Sequence, residues 1–104
     1  MKQLTLIVRS RIQQDLTDQL RMMEQIHGFT LSHVEGHGEQ AEGDPFLSAR
    51  DKVVGYTPRI RIDVVLRAVD LDIVLQELKK TMGESKNGKG IFYWVAAVDQ
   101  SGHL

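Results

Sequence analysis

The spacing of apolar residues predicts that a short strand opens the chain and that an amphipathic helix follows it. Residues 4–8, Leu-Thr-Leu-Ile-Val, form a nearly continuous apolar run rich in β-formers, which indicates a strand buried on both faces. Apolar residues then recur at helical spacing, so we expect a first helix over about 11–26. Ser10, with Gln13 three residues later, has the form of a capping box that would begin this helix, and Gly28 is a typical helix stop.

The rest of the pattern predicts two strands, a second helix and a last strand. Apolar and polar residues alternate from Phe29 to His37, and they alternate more clearly from Arg59 to Leu66, so each stretch indicates a strand with two different faces. Apolar residues at helical spacing over about 71–82 predict a second helix, for which Asp70 is a suitable N-cap. Residues 91–98 form a last predicted strand that is apolar on both sides.

This order of elements, β-α-β-β-α-β, predicts an α+β domain of the ferredoxin-like plan, in which two helices cover one face of an antiparallel sheet. The other face of such a sheet normally contacts water, yet the last predicted strand is apolar on both sides. We therefore expect the open face to be covered, and the cover that we predict is a second copy of the chain.

The composition limits the classes of function. The 104 residues suffice for one domain, 1–104, and 13 Lys and Arg against 14 Asp and Glu give a net charge of -1, which argues against a nucleic-acid partner. The chain has no cysteine, which excludes disulfides and thiolate metal sites. The sequence has no signal peptide and no run long enough to span a membrane, so we expect a cytoplasmic protein without membrane insertion.

A long charged segment, residues 39–57, separates the second and third predicted strands. A connection of this length is uncommon in a small domain unless it has a function. It combines both charge signs with several apolar side chains, and we predict that it orders against a partner through Phe46, Leu47, Arg50 and Tyr56. Alternatively, the segment packs as an extended hairpin on its own domain or on a neighbouring subunit.

A glycine-rich turn, residues 86–90, precedes the last predicted strand. Its sequence, Lys-Asn-Gly-Lys-Gly, offers main-chain amides and two positive charges to a phosphate group. Its spacing is not that of a P-loop, and it precedes a strand rather than a helix. The turn is therefore either an anion site or a simple connection.

Three polar residues at alternate positions of the second predicted strand form a candidate metal site. His33, Glu35 and His37 share one face of the strand and suit Zn(II), Cu(II) or Ni(II). Successive side chains are about 6.5 to 7 Å apart along a strand, so a site needs strand twist or a ligand from another chain. The alternative is a polar strand end that is hydrogen-bonded to its neighbours.

The sequence contains no recognisable catalytic motif. It has no nucleophile elbow, zincin or phosphotransfer pattern, so we do not expect an enzyme. Arg61 and Asp63 alternate with apolar residues in the third predicted strand. We predict that they pair within an interface rather than act as acid and base.

Three stretches, taken in order, resemble the PII-like signalling proteins. Residues 28–38, Gly-Phe-Thr-Leu-Ser-His-Val-Glu-Gly-His-Gly, are similar to the PII segment before its T-loop, Gly-Met-Thr-Val-Thr-Glu-Val-Lys-Gly-Phe-Gly. Residues 58–65, Pro-Arg-Ile-Arg-Ile-Asp-Val-Val, are similar to the PII strand after that loop, Pro-Lys-Val-Lys-Ile-Glu-Ile-Val. Residues 88–92, Gly-Lys-Gly-Ile-Phe, resemble the end of the PII B-loop, Gly-Asp-Gly-Lys-Ile-Phe. Together the matches cover nearly the whole chain in the right order.

The resemblance implies a homotrimer of ferredoxin-like subunits. In PII proteins, nucleotides and 2-oxoglutarate bind in the cleft between subunits, and the T-loop then binds a transporter, channel or enzyme. An adenine nucleotide is thus the implied ligand, and residues 39–57 are the T-loop-like segment. By position, the resemblance implies ligand contacts from Thr30, Gly38, Gln40, Arg59, Asp63, Asn87, Gly88, Lys89 and Gly90.

Several positions depart from the PII pattern. Glu39 takes the place of an arginine, and Lys52 lies at about the position of the modified tyrosine of the T-loop. The C-terminal arginines that contact phosphates in PII have no counterpart in residues 98–104. Each lost charge-assisted contact is worth about 1.5 to 3 kcal/mol, so we expect weakened ATP binding.

Within the wider family, the chain looks most like the small PII-like proteins found beside heavy-metal efflux pumps of the resistance-nodulation-division type. This likeness implies that the regulated transporter is an efflux pump component. The similar CutA-type trimers, which are linked to divalent metal tolerance, support the alternative that His33, Glu35 and His37 bind zinc or copper.

Overall fold

The computed structural model describes residues 1–37, 56–83 and 91–104. The strands are β1 (Lys2–Arg9), β2 (Thr30–His37), β3 (Tyr56–Leu66) and β4 (Ile91–Ala97), and the helices are α1 (Gln13–Met22) and α2 (Ala68–Leu78). A 3₁₀ turn leads into α1, and a π-helical turn, Lys79–Gly83, extends α2. Within the described ranges, neither helix is long and apolar enough to cross a membrane.

The four strands form one antiparallel sheet in the order β2-β3-β1-β4. The central strand β1 lies between β3 and β4, with Leu6 opposite both Ile62 and Tyr93. Because the two helices follow β1 and β3 and pack on one face of this sheet, the predicted ferredoxin-like α+β fold is confirmed.

The core lies between the sheet and the helices. Alternate residues of β1 and β3 point towards α1 and α2, as the period of two in these strands requires. Thr17 is also buried in α1, where its hydroxyl donates to the Gln14 carbonyl at 3.1 Å. The buried apolar residues are Leu4, Leu6, Val8, Ile12, Leu16, Leu20, Met23, Ile60, Ile62, Val64, Leu66, Val74, Leu78 and Met82.

The start of α1 differs from the prediction. Ser10 opens the 3₁₀ turn instead of capping α1, and no side chain forms a capping hydrogen bond at either N-cap position. The predicted capping box is therefore wrong. The main chain itself links the two elements, because the Gln13 amide donates to the Ser10 carbonyl.

The end of α1 and the start of α2 also differ. The first helix ends at Met22, because Met23 has extended dihedrals (φ -86°, ψ 122°), so Gly28 is not the residue that stops it. The predicted N-cap of α2 at Asp70 is also wrong, since Arg67 occupies that position. The Asp70 carboxylate instead accepts two hydrogen bonds from the Arg67 guanidinium, at 2.9 and 3.3 Å.

The sheet face away from the helices carries large apolar side chains. Phe92 is 66% exposed, Val65 is 42% exposed and Trp94 is 39% exposed. They lie on the same face as Thr5 and Arg61, since the register pairs Thr5 with Trp94 and Arg61 with Ile7. We call this surface the open face.

Candidate functional site

The strand register brings both predicted ligand-binding connections to one end of the sheet. β2 ends with His37 opposite Tyr56 of β3. Three residues further along β3, Arg59 lies opposite Arg9 of β1, and Ile91, the first residue of β4, lies opposite Val8 of β1. β2 therefore ends, and β3 and β4 begin, at the same end of the sheet. Residues 38–55 connect β2 to β3, and residues 84–90 precede β4. We call it the arginine end, after Arg9 and Arg59.

Arg9 and Arg59 lie directly opposite each other on β1 and β3. Both occupy the open face, because the alternate residues Val8 and Ile60 point into the core. Like charges at directly opposite positions of an antiparallel pair repel each other, so this register concentrates positive charge at one end of the sheet. Arg59 also donates to the Pro58 carbonyl at 3.4 Å.

Arg9 is a candidate site residue that the sequence interpretation missed. The available signal was a basic residue at the end of the first predicted strand. Its position opposite Arg59, which the resemblance did implicate, depends on a pairing between residues 50 positions apart in the sequence. Such a pairing is not visible in a local pattern.

The predicted pairing of Arg61 with Asp63 is confirmed. The Asp63 Oδ2 accepts from the Arg61 Nε at 2.9 Å, and the Asp63 Oδ1 accepts from the Arg61 Nη2 at 3.3 Å. The Oδ1 atom also accepts from the Thr5 hydroxyl at 2.7 Å and from the Gln3 amide nitrogen at 3.0 Å. We call these four side chains, Gln3, Thr5, Arg61 and Asp63, the neutral centre.

The electrostatics of Asp63 follow from these contacts. Burial tends to raise the pKa of the Asp63 carboxyl, but hydrogen bonds from Arg61, Thr5 and Gln3 outweigh burial and hold this pKa below its ordinary value of 3.8. Thr30, another predicted ligand contact, lies directly opposite Asp63 on β2. The structure thus brings these two predicted residues together, away from the arginine end.

Aromatic rings border the neutral centre on its β4 side. The Arg61 guanidinium carbon lies 5.5 Å from the centroid of the Trp94 ring, a cation–π distance. The Trp94 and Phe92 ring centroids are 6.0 Å apart, in a tilted arrangement.

The candidate metal ligands lie on β2, towards the arginine end. His33, Glu35 and His37 share a face, as predicted, because each lies opposite an alternate residue of β3. The His37 Nε2 and Glu35 Oε2 atoms are 3.5 Å apart. Across residues 1–37, 56–83 and 91–104, no group of three His, Asp or Glu side chains is placed to hold a metal ion. Metal binding by this strand stays a prediction.

Several predicted site residues lie outside the described residues, and their roles stay predictions. Tyr56 begins β3, so the backbone at this one residue of the predicted partner-binding set is described. The remaining predicted contacts fall in segments 38–55 and 84–90: Gly38, Gln40, Phe46, Leu47, Arg50, Asn87, Gly88, Lys89 and Gly90.

Comparison with known proteins gives a family and two curated relatives. The family described as "Protein of unknown function (DUF3240)" matches residues 1–104. Nitrogen regulatory protein P-II 1 of Methanothermobacter thermautotrophicus is 26% identical over 99 residues, which cover 95% of this chain and 85% of that protein. Nitrogen regulatory protein P-II 2 of the same organism is 25% identical over 100 residues, covering 96% of this chain and 85% of the relative. The predicted PII resemblance is confirmed by these similarities.

A solved structure supports the fold. The crystal structure of a DUF3240 family protein from Shewanella baltica OS155 superposes with a TM-score of 0.76 at 21% sequence identity. The match covers 99% of this chain and 94% of that one. The likeness shows that the two chains share one fold over almost their whole length.

Proposed function

Because the chain belongs to the DUF3240 family and is similar to PII nitrogen regulatory proteins, we propose that it is a regulatory protein that binds a small anionic ligand at its arginine end. The ligand class that we propose is an adenine nucleotide. The bound ligand controls how the T-loop-like segment, residues 39–57, contacts a membrane transporter.

The observation that carries this proposal is the pairing of Arg9 with Arg59 at the end where both long connections meet the sheet. Two arginines at opposite positions of neighbouring strands suit phosphate oxygens, which accept charge-assisted hydrogen bonds. The sequence of the second connection adds Lys86 and Lys89. These positive charges support an anionic ligand despite the near-neutral composition of the chain.

We also propose that the chain assembles as a homotrimer. A patch with exposed Phe92, Val65 and Trp94 is unusual on a monomer and supports burial against another copy. We propose that in this assembly the arginine end of one subunit lies beside its neighbour. The ligand would then bind in a cleft that two subunits share.

The partner that we propose is a transporter or a component of a heavy-metal efflux pump. The support for it is the composition of segment 39–57, which combines charges with apolar side chains that a partner can bury, together with the resemblance stated above. A pull-down of membrane proteins with the full chain and with Phe46→Ala measures this contact, and equal recovery by both would count against it.

Calorimetric titration of the purified protein with ATP, ADP and AMP tests the ligand proposal. We expect Arg9→Gln and Arg59→Gln each to weaken nucleotide binding by about tenfold or more, because each removes a charge-assisted contact. Arg21→Gln is the matched control, since Arg21 is exposed near the end of α1 and pairs with Asp18. Absence of nucleotide binding at millimolar concentration, or equal affinity of all three variants and the wild type, contradicts the proposal.

A further inference from the structure

We propose that the chain has a second ligand site at the end of the sheet opposite the arginine end, and that this site binds a free α-amino acid with an apolar side chain. The site lies where the segment between α1 and β2 meets the start of α2. It shares no residue with the arginine end, so the inference does not depend on the proposed nucleotide binding.

Two adjoining cavities form this site. The polar cavity, of about 240 Å³, is lined by Glu24, Gln25, His27, Arg67 and Asp70. The apolar cavity, of about 170 Å³, is lined by Leu20, Arg21, Ile26, His27, Gly28 and Phe29. His27 lines both cavities, so they adjoin at this residue. Each is smaller than roughly 300 Å³, the lower limit for pockets that bind drug-sized molecules, so each suits one part of a small molecule.

Arg67 is held in place and keeps one side of its guanidinium group for a ligand. Its Nε and Nη2 atoms donate to the Asp70 carboxylate at 2.9 and 3.3 Å. Asp70 is buried, whereas the Arg67 side chain is 70% exposed. Within residues 1–37, 56–83 and 91–104, the Arg67 Nη1 atom has no hydrogen-bond partner. The outer side of this guanidinium therefore suits a carboxylate, which it can bind through two parallel hydrogen bonds.

Glu24 supplies the opposite charge to the polar cavity. Its side chain is exposed, and in the described part of the chain it forms no ion pair. Because Arg67 and Asp70 cancel each other, Glu24 gives this cavity a net negative charge when His27 is neutral. An anion would be repelled by the carboxylates and a cation by Arg67. A zwitterion matches both signs, with its carboxylate at Arg67 and its ammonium group at Glu24.

The apolar cavity provides a place for the side chain of the amino acid. Leu20 is fully buried at its wall, and Ile26 and Phe29 are half-buried there. The Arg21 guanidinium carbon lies 5.6 Å from the centroid of the Phe29 ring, a cation–π distance that places Arg21 over this ring. An aliphatic or aromatic side chain that extends past His27 contacts these apolar groups. The apolar cavity thus favours an amino acid such as leucine over a polar one.

The main test compares L-leucine with two blocked forms of it by calorimetric titration of the unmodified chain. N-acetyl-L-leucine lacks the ammonium charge, and L-leucine amide lacks the carboxylate. We expect L-leucine to bind and each blocked form to bind about tenfold more weakly or less, because each loses one charge-assisted contact. L-serine tests the apolar cavity and is expected to bind more weakly than L-leucine. Amide chemical shifts locate the site, with changes expected at residues 24–29 and 67–70 and none at Arg9 or Arg59.

Variants test the two charged contacts from the side of the protein. We expect Arg67→Gln to weaken L-leucine binding about tenfold or more, and Glu24→Gln about threefold or more, since an exposed ion pair contributes less. The matched controls are Arg11→Gln and Asp15→Asn, because both residues are exposed and lie near the start of α1, away from both cavities. Arg67→Gln leaves Asp70 buried without its partner, so circular dichroism checks its fold. If it does not fold, Glu24→Gln and the blocked forms of leucine decide the question.

Three results would overturn the inference. The first is no binding of L-leucine at millimolar concentration, and the second is equal affinity for L-leucine and both blocked forms. The third is binding that shifts only amides at the arginine end. Each result leaves the proposed function standing, because nucleotide binding is titrated separately and is tested by variants of Arg9 and Arg59.

Discussion

The Asp63 carboxylate forms its hydrogen bonds with side chains on its own face of the sheet. Its hydrogen bonds come from Gln3 and Thr5 on β1 and from Arg61 on β3, so it links two neighbouring strands. These partners favour the charged form of Asp63 over the neutral form. The resemblance implies that the same residue contacts a ligand, but its four hydrogen bonds favour a structural role within the sheet.

The lowered pKa of Asp63 predicts an acid-dependent loss of stability. A carboxyl whose pKa is lower in the folded state than its ordinary value of 3.8 stabilises the fold above that value, and the contribution is lost as pH falls through the folded pKa. We therefore expect Asp63→Asn to lower the free energy of unfolding at pH 7, and the difference from wild type to shrink below pH 3.8. Urea unfolding at low protein concentration measures it, with the exposed Asp99→Asn as the control. A difference that stays constant across this range would contradict the explanation.

At this scale the sequence predicted part of the site. The alternation in β3 indicated that Arg61 and Asp63 share a face and pair, because residues two apart on a strand point the same way. It could not indicate Gln3 and Thr5, which reach Asp63 only through the pairing of β1 with β3. For the same reason the pairing of Arg9 with Arg59 became visible only in the structure.

Among the elements, strands were predicted more accurately than helix ends. The strands follow from a period of two that the observed register preserves. The prediction extended α1 through Met23 and Ile26, since both continue its apolar spacing. Met23 is indeed buried, at 7% exposure, but it packs on the core from an extended backbone rather than a helical one. Apolar spacing identified the buried residues here, but not their dihedral angles.

The alternative function, metal binding, concerns the strand β2 and stays a prediction. Glu35 and His37 are in contact, so a metal site needs one further ligand, from His33 or from another chain. If β2 binds metal, His33→Ala combined with His37→Ala lowers the affinity for Zn(II) and Cu(II) about tenfold or more in a calorimetric titration. His27→Ala with His103→Ala is the matched control, because both residues are exposed and lie outside β2. Equal affinity of the two double variants would remove β2 as the site.

The order of elements along the chain was predictable because each hydrophobic period is local. The ferredoxin-like plan was predicted from the order of elements, and the observed antiparallel sheet, β2-β3-β1-β4, confirms it. The trimer, the T-loop-like role of residues 39–57 and the transporter partner stay predictions. These three predictions concern contacts between one chain and another. The sequence of a single chain indicates such contacts only where it leaves an apolar face uncovered.

The mass of the protein in solution tests most directly the claim that the chain is a PII-like regulatory protein with a ligand cleft between subunits. Such a cleft requires several copies of the chain. Light scattering coupled to size-exclusion chromatography is predicted to give three times the chain mass of 11.8 kDa, about 35 kDa. We expect this mass to persist on dilution to micromolar concentration. A mass of 11.8 kDa at every concentration would contradict the account.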